Sequence, residues 1–129
     1  MRLLLDTHTA LWAVSRSKKL PVETFDLVSS PDSEVYVSVV SLWEVGIKNT
    51  QGHRDHIPYP VTRVLAYFLE AKFQILSMRP EHSIVFEQVP VLHSDPFDRM
   101  LVAQAQHEGL KLLTRDAKLA QYGDAILSF

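Results

Sequence analysis

A chain of 129 residues is long enough for one domain with a real hydrophobic core, and 47% apolar against 22% charged residues excludes a disordered or fibrous protein. The absence of cysteine excludes disulfide scaffolds, thiolate metal sites and cysteine nucleophiles. The net charge of −2 gives no overall basic character for nucleic-acid binding, although Lys and Arg can still cluster locally. The chain start lacks the apolar run of a signal peptide, and no stretch approaches the roughly 20 apolar residues of a membrane span. We therefore expect a soluble, cytoplasmic protein without a membrane partner.

The first part of the chain alternates short apolar runs with helical patterns. In chain order these predict a strand at 3–5, a helix from Asp6 to Val14, a loop at 15–33 with a short helix at 23–28, a strand at 35–40 and a helix at 41–49. The next residues, 50–60, are polar and carry two prolines, which is typical of an exposed connection.

The second part continues the alternation. It predicts a helix at 61–69, a strand at 73–78, a helix at 80–87, a connection at 89–94, a helix from Asp95-Pro96 to Gly109, a strand at 110–114, a short helix at 117–121 and a strand at 125–129. Alternating strands and helices predict an α/β protein with a parallel sheet and helices on both faces. Without repeats or a long linker, residues 1–129 are expected to form a single domain.

Four acidic residues lie where predicted strands give way to helices, namely Asp6, Glu44, Asp98 and Asp116. Because the carboxyl ends of parallel strands lie at one edge of a sheet, these side chains are expected to meet there. Two unit charges about 4 Å apart interact by roughly 4 kcal/mol at an effective dielectric near 20, so clustered carboxylates favour a cation between them. The pattern indicates a divalent-metal site, and such sites commonly act on phosphodiesters.

Each acid also has a purely structural interpretation as a helix cap. Asp6 and Asp116 are of a residue type preferred at N-caps, and Glu44 follows a serine at the capping-box spacing. Asp95, followed by proline, predicts an N-cap, which makes Asp98 an ordinary acid of the first helical turn. Capping does not, however, predict the residues that flank the four acids.

The segments DTHTALW, SLWEVGIK, DPFDRMLVAQA and LLTRD together resemble the PIN-domain ribonucleases and, more narrowly, the VapC-type toxins of bacterial toxin–antitoxin pairs. The resemblance covers nearly the whole chain, and the last two segments are its most specific parts. It implies a three-layer α/β/α sandwich with a mostly parallel five-stranded sheet. It also implies an endoribonuclease that hydrolyses RNA phosphodiester bonds, an antitoxin protein as partner, and a homodimer.

The resemblance implies catalytic and metal-binding roles for the four acids, with the hydroxyl of Thr114 beside the last of them. Asp6 and Asp98 are expected to bind a metal directly, while Glu44 and Asp116 bind a second ion or hold waters. Oxygen ligands suit Mg²⁺ or Mn²⁺ better than Zn²⁺. The pair His53 and His56 lies in a polar loop rather than on a helix face, which favours a solvated loop over a metal site.

Basic residues offer two candidate contacts to RNA. Lys48 and Arg54 lie near the predicted loop at 50–60, and Arg16, Lys18 and Lys19 form a short basic run. A solvated loop is the simpler interpretation of the basic run, and contact with the RNA backbone stays open for both groups.

Apolar residues on two helices suggest a partner surface. Trp43 and Ile47 occupy a different face of their helix from Leu42 and Val45, and Trp12 lies similarly on the first helix. Packing of these helices on two sides explains the pattern, and the resemblance offers a groove for an antitoxin segment as the sharper alternative.

Rival functions on the same fold remain open. A receiver domain is disfavoured because it needs an acceptor Asp after the third strand, where this chain has SMRPE. A non-catalytic binding module and a DNA-directed nuclease both remain as alternatives.

Overall fold

The computed structural model describes residues 1–52 and 57–129. Its strands are β1 (Arg2–Leu5), β2 (Glu34–Ser38), β3 (Gln74–Leu76), β4 (Lys111–Thr114) and β5 (Ile126–Ser128). Its α-helices are α1 (Thr7–Ser15), α2 (Val22–Ser29), α3 (Val39–Thr50), α4 (Val61–Glu70), α5 (Pro80–Gln88) and α6 (Pro96–Glu108). A 3-10 segment, Leu119–Ala125, joins β4 to β5 and contains a non-helical kink at Gly123, where φ is 83°.

The five strands form one sheet in the order β3-β2-β1-β4-β5, and every neighbouring pair is parallel. Strand β1 lies at the centre, where Leu4 pairs with Tyr36 of β2 on one side and Leu112 of β4 on the other. From β1 the chain first adds strands on one side, β2 and β3, and then on the other, β4 and β5. In parallel sheets, ligands bind in the crevice at such a switch point, which here lies between β1 and β4.

Helices cover both faces of the sheet because side chains alternate along each strand. Leu3 and Leu5 of β1 pack into a core with α1 to α4, whereas Leu4 packs on the opposite side with α6 and the 3-10 segment. All three leucines are fully buried, as expected for a central parallel strand. The predicted three-layer α/β/α sandwich with a parallel five-stranded sheet is confirmed.

The predicted strand at 35–40 is wrong at its end. Strand β2 stops at Ser38, whose Oγ accepts a hydrogen bond from the backbone N–H of Val40 at 3.0 Å and caps α3. Val39 and Val40 therefore belong to the helix, although β-branched residues favour strands. Burial of Val40 in the core on the α6 side stabilises this placement.

The predicted short helix at 117–121 is a 3-10 segment that starts two residues later. The other predicted elements occur with shifts of a few residues at their ends. Among the residues that the structure describes, no helix is long and apolar enough to cross a membrane.

Candidate active site

Two neighbouring strands bring Asp6 and Thr114 together at the carboxyl edge of the sheet. Asp6 follows β1 and caps α1, where its Oδ1 accepts a hydrogen bond from the backbone N–H of Thr9 at 2.9 Å. Thr114 ends β4, and its Oγ1 donates to Oδ2 of Asp6 at 2.5 Å. The same hydroxyl accepts from the backbone N–H of Asp116 at 3.0 Å. One buried threonine thus fixes the positions of two acids from different strands.

Helix α3 contributes Glu44, which is buried although it lies in the middle of the helix. Its Oε1 accepts a hydrogen bond from Oγ1 of Thr7 at 2.8 Å, and its Oε2 lies 3.0 Å from Nζ of Lys48. The capping-box interpretation of Glu44 is wrong, because α3 begins at Val39 and its N-cap is Ser38. The carboxylate faces α1 instead of its own helix start.

Helix α6 contributes Asp98 from its first turn. Asp95 is the N-cap, as predicted, and its Oδ1 accepts from the backbone N–H of Phe97 at 2.8 Å. Because Asp95 already caps the helix, the carboxylate of Asp98 is left to face the other acids. The four acids then line one cavity of about 280 Å³, whose walls are Asp6, Thr7, His8, Trp12, Glu44, Lys48, Asp95, Asp98, Arg115 and Asp116.

A histidine that the sequence did not predict joins two of these acids. The Nε2 of buried His93 lies 2.7 Å from Oδ2 of Asp116 and 3.5 Å from Oδ2 of Asp98. Its Nδ1 accepts the backbone N–H of Asp95 at 3.0 Å. Since a backbone N–H only donates, Nδ1 carries no hydrogen and Nε2 must carry one. In this tautomer His93 donates to the carboxylates and is not itself a metal ligand.

The pKa values of Asp98 and Asp116, the two acids beside His93, shift in opposite directions. Burial, followed by the charges of Asp95, Asp6 and Glu44, raises the pKa of Asp98 to about 7, although His93 acts in the opposite direction. Burial also acts to raise the pKa of Asp116. Hydrogen bonds from His93 and the backbone N–H of Lys118 outweigh it, so the pKa of Asp116 is lowered.

The cavity is lined by more acidic than basic residues, because Asp95 joins the four acids and the basic residues of the lining are Lys48 and Arg115. Lys48 offsets Glu44, and hydrogen bonds satisfy one lone pair on each oxygen of Asp6. Ligand atoms of His93, Asp98 and Asp116 lie within 4.8 Å of one another, which is close enough for two carboxylates to share one ion. Carboxylate oxygens are the donors that Mg²⁺ and Mn²⁺ prefer, so the residues present fit a hard divalent cation.

Of the two residues predicted to contact RNA, Lys48 lies among the acids. Lys48 is paired with Glu44 in the cavity, and Arg54 lies outside the described residues, as do His53 and His56.

Trp12 and Trp43, two of the predicted groove residues, have different surroundings. Trp12 borders both the acid-lined cavity and a neighbouring apolar cavity of about 610 Å³, formed mainly by α1, α4 and residues 57–59. Trp43 is exposed and contacts the ring of Phe97 on α6, with the ring centroids 5.2 Å apart. Neither Trp43 nor Ile47 borders the apolar cavity, and a groove for an antitoxin segment at Trp12, Trp43 and Ile47 stays a prediction.

Sequence reasoning missed His93 and Thr7. His93 falls within the segment predicted as a plain connection, and its only local signal is its position two residues before the helix cap Asp95. Thr7 directly follows Asp6, but its bond to Glu44 depends on how α1 meets α3. Both roles require tertiary contacts that spacing along the chain does not encode.

The fold and the cavity define the class: a doubly wound α/β protein with a carboxylate-lined crevice where the chain reverses direction beside β1. The PIN domain family matches residues 3–125, and the chain therefore belongs to the PIN domain family.

Solved structures that share this fold include a toxin–antitoxin complex. VapBC2 from Rickettsia felis, bound to a DNA fragment from its promoter, aligns with a TM-score of 0.71 at 13% identity over 100% of this chain and 98% of that one. A toxin–antitoxin complex from Klebsiella pneumoniae gives 0.66 at 16% identity, covering 98% and 96% of the two chains. FitAcB from Neisseria gonorrhoeae gives 0.57 at 18%, again covering 98% and 96%. No curated protein sequence matches this chain.

Proposed function

We propose that this chain is a metal-dependent endoribonuclease that acts as the VapC-type toxin of a toxin–antitoxin pair. Residues 1–129 would form one catalytic domain, and two copies a homodimer. The observation that supports the proposal most is the convergence of Asp6, Glu44, Asp98 and Asp116 on one cavity at the carboxyl edge of the sheet. Membership of the PIN domain family and the fold shared with toxin–antitoxin structures support the same conclusion.

Asp6 and Asp98 would hold a Mg²⁺ or Mn²⁺ ion directly, and Glu44 and Asp116 would bind a second ion or orient waters. When bound, the cation supplies Lewis-acid chemistry, which acidifies a water for attack on phosphorus and offsets negative charge on the phosphate oxygens. Asp6 and Asp98 come from separate elements, so the cavity exists only in the folded chain.

Hydrogen bonds within the chain prepare these acids for that role. Thr114 orients Asp6, and His93 keeps Asp116 ionised and turned toward the cavity. Lys48 fixes Glu44 and limits the repulsion that four ionised carboxylates would otherwise produce. Such supporting contacts commonly change metal affinity or activity by about 10- to 100-fold when they are removed.

An antitoxin protein is the proposed partner, because one solved structure with this fold is a toxin–antitoxin complex and another is of VapBC2. Trp43 is 60% exposed, so its truncation should disturb binding more than folding. We expect Trp43→Ala to weaken a pull-down with the co-expressed antitoxin while leaving the melting temperature nearly unchanged. Equal losses in both measurements would refute a binding role for Trp43.

Cleavage of RNA tests the proposal. Wild-type protein and Asp98→Asn are incubated with total RNA and, separately, with single-stranded DNA, in Mn²⁺ and in chelator. We expect cleavage only of RNA, only by wild type and only with Mn²⁺. Preferred cleavage of DNA would make the chain a DNA nuclease. Cleavage by Asp98→Asn at the wild-type rate, or no cleavage under any condition, would contradict the proposed site.

A further inference from the structure

Two cations lie over one aromatic ring beside the acid-lined cavity, and neither forms an ion pair among residues 1–52 and 57–129. Trp12 of α1 is half-buried, and the guanidinium carbon of Arg115 lies 5.8 Å from its ring centroid. The ammonium of Lys19 lies 5.9 Å from the same centroid. The guanidinium also donates from Nη1 to the backbone carbonyl of Lys19 at 3.2 Å. We call Trp12, Lys19 and Arg115 the cationic rim.

The charges of the cationic rim are available although acids are close by. Arg115 lines the same cavity as Asp116 and Asp6, yet neither it nor Lys19 forms an ion pair with any carboxylate in the described part of the chain. The other cation of the cavity, Lys48, is paired with Glu44 at 3.0 Å. Arg115 instead contacts the Trp12 ring and the Lys19 carbonyl.

Both cations of the cationic rim are exposed to solvent, so an incoming anion can reach them. A guanidinium carries five N–H donors, and the contact with the Lys19 carbonyl uses one nitrogen of Arg115. The planar donors of a guanidinium fit the two oxygens of a phosphate.

We propose that the cationic rim binds the backbone of a single nucleic-acid strand at a phosphate next to the one that enters the acid-lined cavity. This inference rests on the proposed function, because the acids define which phosphate is cleaved. A phosphodiester strand is repelled by four carboxylates, and this chain has a net charge of −2. Arg115 in the cavity wall and Lys19 over the Trp12 ring supply the local attraction that the overall charge does not.

Of the basic run Arg16, Lys18 and Lys19, the structure singles out Lys19 as a candidate contact to the strand. Arg16 packs over the ring of Phe25 and borders a different cavity, away from the acids. Of the three cations in the run, Lys19 is the one that shares an aromatic ring with a residue of the acid-lined cavity. The predicted strand contact therefore involves Lys19 and Arg115, residues far apart in the sequence.

The test measures binding without cleavage. A fluorescein-labelled single-stranded RNA of about 12 nucleotides is titrated in EDTA between about 0.05 and 0.2 M salt, with fluorescence anisotropy as the readout. Each lost phosphate contact lowers the slope of log affinity against log salt by about 0.7, which is about fivefold in Kd at about 0.1 M salt. We expect this change for Arg115→Gln and for Lys19→Gln, and about 25-fold for the double variant.

Two further variants separate charge from packing. Arg115→Lys keeps the charge and should retain the wild-type slope. Arg63→Gln is the matched control, because Arg63 is exposed, lies 5.8 Å over the ring of Tyr59, and does not border the acid-lined cavity. It should leave both Kd and slope unchanged. Melting temperatures of all variants report whether each one folds.

Several results would overturn the inference. An unchanged slope in Arg115→Gln and Lys19→Gln would do so, and so would an equal change in Arg63→Gln. Unchanged RNA binding with lost binding of a co-expressed protein would assign the rim to a protein partner. The results separate this inference from the proposed function. If wild type cleaves RNA and the rim variants bind RNA normally, only the proposed role of the cationic rim is rejected. If the rim variants bind RNA more weakly but wild type does not cleave RNA in Mn²⁺, only the nuclease activity is rejected.

Discussion

Two histidine–carboxylate pairs in this molecule have nearly the same local geometry and different surroundings. The Nε2 of His93 lies 2.7 Å from Asp116, and the Nε2 of His82 lies 2.7 Å from Glu108. In each ring Nδ1 accepts a backbone N–H at 3.0 Å, so each Nε2 carries the hydrogen. A histidine hydrogen-bonded to a carboxylate is therefore not in itself evidence of a functional site here.

The surroundings of His82 and His93 differ in how much negative charge the chain leaves without a partner. Beside His82, the pKa of Glu108 is lowered, first by the hydrogen bond from that ring and also by the charge of Arg79, 3.5 Å away. Beside His93, the pKa of Asp98 is raised to about 7 by burial and by three other carboxylates. The pair between α5 and α6 is neutralised within the chain and is structural. The pair in the cavity lies among acids that an external cation would neutralise.

The largest expected difference between the two places is in their response to metal. A cation at about 100 times its Kd stabilises the folded state by about 2.7 kcal/mol. That corresponds to a rise in melting temperature of about 10 °C for a domain of this size. Asp6→Asn should remove most of this rise with Mn²⁺, whereas Glu108→Gln should keep all of it. Equal responses in the two variants would show that the ion does not bind at the acids.

The second difference concerns the two histidines. His93→Gln removes the donor that links Asp116 and Asp98, so the apparent affinity for Mn²⁺ in a calorimetric titration should fall by about 10- to 100-fold. His107→Gln, at an exposed ring on α6, is the control and should leave the affinity unchanged. An unaltered affinity in His93→Gln would mean that this ring serves only the fold.

The third difference is in stability. His82 is fully buried, and His82→Leu leaves the backbone N–H of Arg79 without its acceptor and breaks the bond to Glu108. We expect a loss of about 1–3 kcal/mol in the free energy of unfolding measured in urea. The cleavage rate per folded molecule should not change. A variant as stable as wild type would contradict the structural role.

The smallest expected effect is a pH dependence of the metal-free protein. Because the pKa of Asp98 is raised in the folded state, that state binds a proton more tightly than the unfolded chain does, and stability declines as pH rises from about 4 to about 7. In chelator, Asp98→Asn should flatten this part of the curve of melting temperature against pH. Glu108 has the opposite sign: its lowered pKa contributes stability above its usual value near 4.5, which is lost at lower pH. Parallel curves for wild type and Asp98→Asn would contradict the charge surplus.

The sequence predicts the site residues whose positions follow from the ends of strands and the starts of helices. Asp6 and Asp116 follow strands, and Asp98 follows a recognisable Asp-Pro cap, so a parallel sheet is sufficient to bring them to one edge. Capping and convergence are not exclusive alternatives, because Asp6 uses one oxygen for the N–H of Thr9 and the other for the hydroxyl of Thr114.

The parts that could not be predicted depend on contacts between distant segments. His93 reaches Asp116 only because the connection before α6 folds against the end of β4. Arg115 reaches Trp12 only because β4 lies beside β1. Helix α3 begins earlier than the sequence predicts for a local reason, because the cap at Ser38 outweighs the β-branched residues that follow it.

Anomalous diffraction from crystals soaked in Mn²⁺ tests most directly whether Asp6 and Asp98 bind a divalent cation in the acid-lined cavity. We expect an anomalous peak within the acid-lined cavity, next to the carboxylates of Asp6 and Asp98, and no such peak in Asp98→Asn. Crystals at saturating Mn²⁺ with no peak in that cavity, or with a peak only beside Glu108, would contradict the account.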